Sequence, residues 1–295
     1  MKEIKGTTRV CGLIGNPVGH SISPLIHNTI AELEDIQLAY VTFQVEKENV
    51  AKAVEGAYAL NIQGLNVTVP HKNSVISTLT DIDPIARSIG AVNTLVRTKD
   101  GYKGYNTDIL GFHRELTEAG ITLKDQEVII LGAGGAARAI AFLCGQEQVA
   151  KLWILNRTVE KAKNIADAVN ETFKRPCAEA LPLAEYQKLA GRQYITIQTT
   201  SVGLHPHDEE AVIDEEAFYK MVSVGIDIIY NPAKTKFMKY VEKQNKKAYN
   251  GLKMLLYQGV SAFELWNNMK VSDEVITEVY KAMKKELGII EQSEQ

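Results

Sequence analysis

The stretch Glu127–Ala141, E-V-I-I-L-G-A-G-G-A-A-R-A-I-A, constrains the fold more than any other part of the chain. Val128–Leu131 is a short apolar run closed by glycine, the pattern of a strand buried in a parallel sheet. The turn Gly132-Ala133-Gly134-Gly135-Ala136-Ala137 follows and opens an alanine-rich helical stretch containing Arg138. Strand, glycine turn and helix in that order predict a seat for a dinucleotide pyrophosphate. Gly132 permits the tight turn, Gly134 lets the backbone approach the phosphates, and Ala137 allows close packing of helix on strand. Free N–H groups and the positive end of the helix dipole then face the anion.

The next segment bears on which dinucleotide. Lys151–Asn156, K-L-W-I-L-N, reads as the second strand of the same unit, followed by a polar helix. A site for NAD usually carries Asp or Glu at the end of this strand to hold the ribose 2′-hydroxyl. This chain has Asn156-Arg157-Thr158 there, with Lys161 one helical turn on. No carboxylate repels a 2′-phosphate, and two cations and a hydroxyl can hold one, so NADP is the expected cofactor. Arg157 and Lys161 also fit an ordinary solvated helix start.

At 295 residues the chain has room for two domains. Its 45% hydrophobic and 23% charged residues are those of a globular protein. A net charge of −3 and a pI near 6.1 argue against a general nucleic-acid surface, though not against a local phosphate site. Cys11, Cys144 and Cys177 form no C-x-x-C pair and are expected as buried thiols in a reducing compartment. The start M-K-E-I-K-G lacks the apolar core of a signal peptide and no stretch reaches membrane-spanning length, so the expected location is cytoplasmic, with no membrane partner.

Upstream, Arg9–Gly15 is expected as the first strand. In G-N-P-V-G-H-S-I-S-P-L-I-H-N, residues 15–28, Ser23-Pro24 reads as a helix N-cap followed by proline at the first helical position. Ser21 and Ser23 then surround a helix start, which favours a carboxylate or phosphate. Simple capping by Ser23, with Ser21 idle, fits the spacing equally well. His20 and His27 have no matching Cys or carboxylate cluster, so no metal is expected and both read as structural or solvent-facing. Leu38–Val45 and Gln63–Val69 are expected strands, and Lys47–Leu60 an expected helix. Lys72, just past Pro70-His71, lies where open α/β sheets bind ligands, although a surface lysine would look the same. The segment Gly90–Asp108 predicts a hairpin about Lys99-Asp100-Gly101, after which Thr107 or Asp108 can cap a helix over Ile109–Ala119. Phe173–Gln193 shows no clear pattern, and His205-Pro206-His207 reads as a turn.

Taken together these stretches resemble shikimate dehydrogenase over nearly the whole chain. The motifs that carry the resemblance are residues 15–28, N-V-T-V-P-H-K at 66–72, G-A-V-N-T at 90–94 and G-Y-N-T-D at 104–108. They continue with G-A-G-G-A-A-R-A at 132–139, N-R-T at 156–158, D-I-I-Y-N-P at 227–232 and G-L-K-M-L-L-Y-Q-G at 251–259. The resemblance implies an α/β protein of two domains separated by a cleft, an N-terminal substrate domain and a Rossmann domain for NADP. It implies boundaries of 1–108, completed by C-terminal helices 254–295, and 109–253. The implied activity is that of an NADP-dependent oxidoreductase reducing 3-dehydroshikimate to shikimate, on the route to chorismate and aromatic amino acids.

By the same resemblance, Ser21 and Ser23 would hold the substrate carboxylate. Thr68, Lys72, Asn93, Asp108 and Gln258 would surround the ring hydroxyls, with Thr107 and Tyr230 close by. Lys72 and Asp108 would be the catalytic pair. Gly132, Ala133, Gly134, Gly135, Ala136, Asn156, Arg157, Thr158, Lys161, Ile228 and Gly251 would meet the cofactor. Lys161 stands where many members carry arginine, which keeps the charge but loses planar stacking. A quinate/shikimate dehydrogenase using NAD or NADP would share most of these motifs. A ligand-sensing regulator on the same fold should have lost Lys72 or Asp108, and both are present. A homodimer is left open.

Overall fold

A computed structural model describes residues 3–289. Met1 and Lys2 of the N-terminal reading, and 290–295 of the expected C-terminal helices, lie outside the described residues. The chain divides into two units: the first runs through Gly111 and resumes at Leu255, and the second is Phe112–Met254.

The first unit is built on β1 (Arg9–Gly15), α1 (Ser23–Leu33), β2 (Leu38–Gln44), α2 (Val50–Ala59) and β3 (Gly64–Val67). It continues with β4 (Asp81–Ile82), α3 (Pro84–Ile89), β5 (Thr94–Thr98), β6 (Gly101–Tyr105) and the start of α4 (Thr107–Glu118). The strands form one sheet in the order β2-β1-β3-β5-β6-β4. β1 pairs parallel with β2 and β3, whereas β5 lies antiparallel to both β3 and β6. Val54, Leu65, Val67, Val75, Val92, Leu95 and Tyr102 fill the core on one face. The first residues of the helix expected over Lys47–Leu60 form a 3₁₀ turn, Lys47–Asn49.

The second unit alternates β7 (Glu127–Leu131), α5 (Gly135–Gln146), β8 (Lys151–Asn156), α6 (Val159–Phe173), β9 (Ala178–Pro182) and β10 (Tyr194–Gln198). Then follow α7 (Glu216–Tyr219), β11 (Val222–Asp227), α8 (Lys236–Lys243) and β12 (Lys247–Asn250). Every pairing is parallel, in the order β12-β11-β10-β7-β8-β9. This is the doubly wound dinucleotide-binding order, with its switch point between β7 and β10. β9 and a 3₁₀ segment, Leu183–Leu189, occupy the stretch that shows no pattern in the sequence.

The chain leaves the second unit through α9 (Leu252–Asn267) and ends its described course in α10 (Asp273–Glu286). Within the first unit, Trp266 Nε1 donates to Leu95 O at 2.9 Å. The same indole covers Gly64 so closely that a Cβ there would stand 2.1 Å from Nε1. Among the described residues, no helix is long and apolar enough to cross a membrane.

Candidate functional site

In the first unit, polar side chains gather where β3 ends, β5 begins and β6 gives way to α4. Sheet register does this: Asn66 faces Thr94 across β3 and β5, and Thr94 faces Tyr105 across β5 and β6. Lys72 follows β3 by a short turn and is tied back by Val92 N–H donating to its carbonyl at 2.8 Å. Its Nζ reaches Asp108 Oδ2 at 2.7 Å, and Asn93 Nδ2 donates to Asp108 Oδ1 at 2.8 Å. Asn93 Oδ1 in turn accepts from the Thr107 N–H at 2.7 Å and from the hydroxyls of Thr94 and Thr107. Asn66 Nδ2 donates to Thr94 Oγ1 at 3.1 Å, and the Tyr40 hydroxyl donates to Asn66 Oδ1 at 2.8 Å.

Asp108, Asn93, Thr94, Thr107 and Asn66 are all buried, while the Lys72 side chain keeps 24% exposure. Lys72 is therefore the most exposed member of the group, with 11% of the Asp108 side chain also open. Asp108 does not cap α4, and neither does Thr107. That task falls to Asn106, whose Oδ1 accepts from the N–H groups of Asp108 and Ile109 at 3.1 and 3.4 Å. Freed from the helix end, the Asp108 carboxylate pairs with Lys72 and Asn93 and keeps part of its side chain open.

The serine pair departs from its expected local role. Ser23 is the first residue of α1, Ile22 holds the cap position, and no side chain caps there. Ser21 is not idle: its Oγ accepts from the Ser23 N–H at 3.2 Å, and its hydroxyl donates to Ser23 Oγ at 3.1 Å. The cause is the Val18–Ser21 turn, closed by Ser21 N–H to Val18 O at 3.1 Å. Thr68 is half-buried after β3, and Gln258 is half-buried on α9 with Nε2 donating to Leu255 O at 2.8 Å. Neither hydrogen-bonds to the Lys72 group among the described residues. His27 is fully buried, stacked on Tyr40 with ring centroids 4.2 Å apart. Burial pushes its imidazole down to about 3, so it stays neutral and apolar in character. His20 is exposed.

The second unit presents a different kind of site. Gly132 follows β7 at φ +110, and a Cβ there would meet Thr199 Oγ1 at 2.7 Å and Thr200 Cγ2 at 2.9 Å. Gly134 and Gly135 have the opposite surroundings: a Cβ would meet nothing within 4 Å of either. Gly134 is the cap of α5 and no side chain bonds there, which leaves first-turn N–H groups facing open space. Such a cradle fits a pyrophosphate. Ala133 and Ala136 flank it, and Ala137 is fully buried beneath.

At the end of β8, Asn156 Nδ2 donates to Thr158 O at 2.9 Å, folding the turn over. Arg157, Thr158 and Lys161 are exposed, and neither cation is ion-paired among the described residues. Arg157 also borders a cavity of about 390 Å³ walled by Pro182, Tyr186 and Glu215. No carboxylate stands at the strand end, and the residues present fit a 2′-phosphate. Ile228 and Gly251 meet at the ends of β11 and β12, where a Cβ on Gly251 would lie 2.0 Å from Ile228 O. Tyr230, two residues beyond Ile228, is half-buried, and burial raises its phenol.

Asn66, Tyr40, Asn106, Gln198 and Asp227 are buried polar residues with several partners that the sequence reading did not single out. The signal available for Asn66 and Asp227 was a polar residue inside an apolar strand run. Among the described residues no group of three or more His, Cys, Asp or Glu could hold a metal ion. His205 and His207 pair with Asp208 and Glu210 instead.

Three family models match the chain in order. "Shikimate dehydrogenase substrate binding domain" covers residues 13–95, "Shikimate / quinate 5-dehydrogenase" 115–229, and "Shikimate 5'-dehydrogenase C-terminal domain" 251–279. A protein of Caldanaerobacter subterraneus subsp. tengcongensis named shikimate dehydrogenase (NADP(+)) is 45% identical over 264 residues, 90% of this chain and 93% of its own. A shikimate dehydrogenase solved in complex with NADP+ superposes with a TM-score of 0.88 at 38% identity, over 95% of this chain and 97% of that one. The Listeria monocytogenes shikimate 5-dehydrogenase, solved with shikimate and NAD, gives 0.87 at 31% identity, over 95% and 98%.

Proposed function

The chain belongs to the shikimate dehydrogenase family, and from that premise we propose that it interconverts 3-dehydroshikimate and shikimate with NADP, using Lys72 and Asp108. The observation that carries this reading is the Lys72 Nζ–Asp108 Oδ2 contact at 2.7 Å, set beside the Asn93 amide and more open to solvent on the lysine side than on the aspartate side. A ketone hydrogen-bonded to the Lys72 ammonium is polarised, and the same ammonium can give its proton to the oxygen as it becomes an alkoxide. In the reverse direction Lys72 takes that proton back. Asp108 orients the ammonium and, with Asn93, offers acceptors and donors for the neighbouring ring hydroxyls. Ser21 and Ser23, at the start of α1, offer hydroxyls to the substrate carboxylate.

NADPH, when bound, supplies the hydride. The open space over Gly134 and Gly135 supports a pyrophosphate there, and Arg157, Thr158 and Lys161 support a 2′-phosphate. The buried, unpaired thiols of Cys11, Cys144 and Cys177 suit a reducing, cytoplasmic setting. A regulator without chemistry would have no use for an ion pair poised at a solvent-open lysine.

The test is a panel of oxidations, shikimate or quinate with NADP or NAD, followed by absorbance of the reduced cofactor. Shikimate with NADP should give the highest kcat/KM. Faster turnover of quinate would replace this reading with that of a quinate/shikimate dehydrogenase, and faster turnover with NAD than with NADP would overturn the 2′-phosphate assignment.

A further inference from the structure

Asp227 ends β11 with no exposed surface, and the chemistry described above makes no use of it. Its Oδ1 accepts from Gln198 Nε2 at 3.2 Å and from the Ile229 N–H at 3.0 Å, and its Oδ2 accepts from Thr235 Oγ1 at 2.6 Å. These donors come from the end of β10, the turn after β11 and the N-cap of α8, and none is charged. Burial pushes the carboxyl up to about 6, against the pull of the hydrogen bonds from Thr235, Ile229 and Gln198. Among the described residues no cation pairs with it, so neutral donors alone hold the carboxyl. Space-filling alone does not explain it, because an amide has the same shape and a smaller desolvation cost. Only the carboxylate can accept on both oxygens from three donors at once.

Each donor passes the constraint on. Gln198 Nε2 also donates to Val202 O at 3.1 Å, and Gln198 Oε1 accepts from the Thr200 N–H, which shapes the loop after β10. Ile229 O accepts from the Gly251 N–H at 3.0 Å, and Gly251 packs against Ile228 with no room for a side chain. Thr235 Oγ1 caps α8 through Met238 N–H at 3.4 Å. In this strand order the pyrophosphate lies at the β7 turn and the adenosine toward the end of β8. The loops after β10 and β11 are then left for the other end of the dinucleotide.

We propose that Asp227 is a positioning residue that locks these two loops together as the seat of the nicotinamide half of NADP. The inference rests on the cofactor reading above, and the test separates the two. NADP and adenosine 2′,5′-bisphosphate, which lacks the nicotinamide half, are titrated into wild type, Asp227→Asn, Thr235→Val and Thr235→Ser, alongside steady-state kinetics and thermal midpoints. Asp227→Asn should weaken NADP by about tenfold or more, the size of losing hydrogen bonds to a charged group. The bisphosphate should bind as to wild type, and kcat should fall while the shikimate KM stays put. Thr235→Val should shift the same way by less, and Thr235→Ser should restore wild-type behaviour. If Asp227→Asn does not fold, the Thr235 pair decides. Equal weakening of NADP and bisphosphate, or a lower thermal midpoint with both affinities intact, would overturn the positioning role. Wild type failing to bind either nucleotide would instead sink the cofactor reading.

Discussion

The two units offer a ligand opposite kinds of surface. The first does it with side chains: Asn66, Asn93, Thr94, Thr107 and Asp108 are buried, mutually hydrogen-bonded, and lead to the partly exposed Lys72 ammonium. The second does it with main chain: a left-handed glycine after β7, an uncapped helix start, and open space where side chains would have been. A mixed sheet makes the first arrangement available, because the antiparallel β5–β6 pair sets Asn93 against the start of α4. An all-parallel sheet makes the second, because every helix start lies at the same end of the sheet. The lesson is that one site is broken by removing atoms and the other by adding them.

That contrast breaks most visibly at Lys72. Lys72→Ala should lower kcat by about 10²–10⁴-fold, the range for losing a general acid–base, with a much smaller change in the shikimate KM. Steady-state kinetics at saturating shikimate check this, and an unchanged kcat would leave the side-chain site without its proton carrier. The complementary change adds one carbon to the other unit. Gly132→Ala forces a side chain to φ +110 and against the side chains of Thr199 and Thr200, and should cost roughly 2–3 kcal/mol. It should appear as weaker NADP binding and a lower thermal midpoint. Alanine at Gly134, where nothing stands within 4 Å, should lower NADP affinity while moving the midpoint much less than Gly132→Ala does. The smallest effect sharpens the comparison at its exception, the exposed side chains of the second unit. Arg157→Ala should raise the KM for NADP by about tenfold while leaving NAD nearly unchanged, since the charge-assisted contact is made only with the 2′-phosphate. Equal losses with both cofactors would count against that contact.

How much of this could be read in advance follows the same division. Main-chain features are written locally, so the bounds of β1 and β8 coincide with the apolar runs Arg9–Gly15 and Lys151–Asn156, and the Gly132 turn stands in the sequence itself. Side-chain partnerships are not written locally. Tyr40 meets Asn66 across 26 positions and Lys72 meets Asp108 across 36, so spacing alone offered Lys72 as a surface lysine and Asp108 as a cap, and only the family resemblance joined those two as a pair. The caps show this at close range: Asn106, not Asp108, serves α4, and Ser21, not Ser23, accepts from the chain at α1. Turn geometry decides among neighbouring hydroxyls and carboxylates, and spacing does not encode it. β9 was hidden because it is short and only Ala178 in it is fully buried, which leaves no alternation to detect.

The route of the chain has a consequence for the order in which the protein comes into being. The second unit lies wholly between Gly111 and Leu255 in sequence, whereas the first needs residues from both sides of it. On a ribosome, which releases the chain from its N-terminus, every strand of both sheets has emerged before α9 and α10. The nucleotide unit can therefore close on itself while the sheet of the first unit still waits, with Gly64 uncovered and the Leu95 carbonyl lacking its indole donor from Trp266. The half that carries Lys72 and Asp108 can gain its Trp266–Leu95 hydrogen bond only after the whole of the other unit has been made.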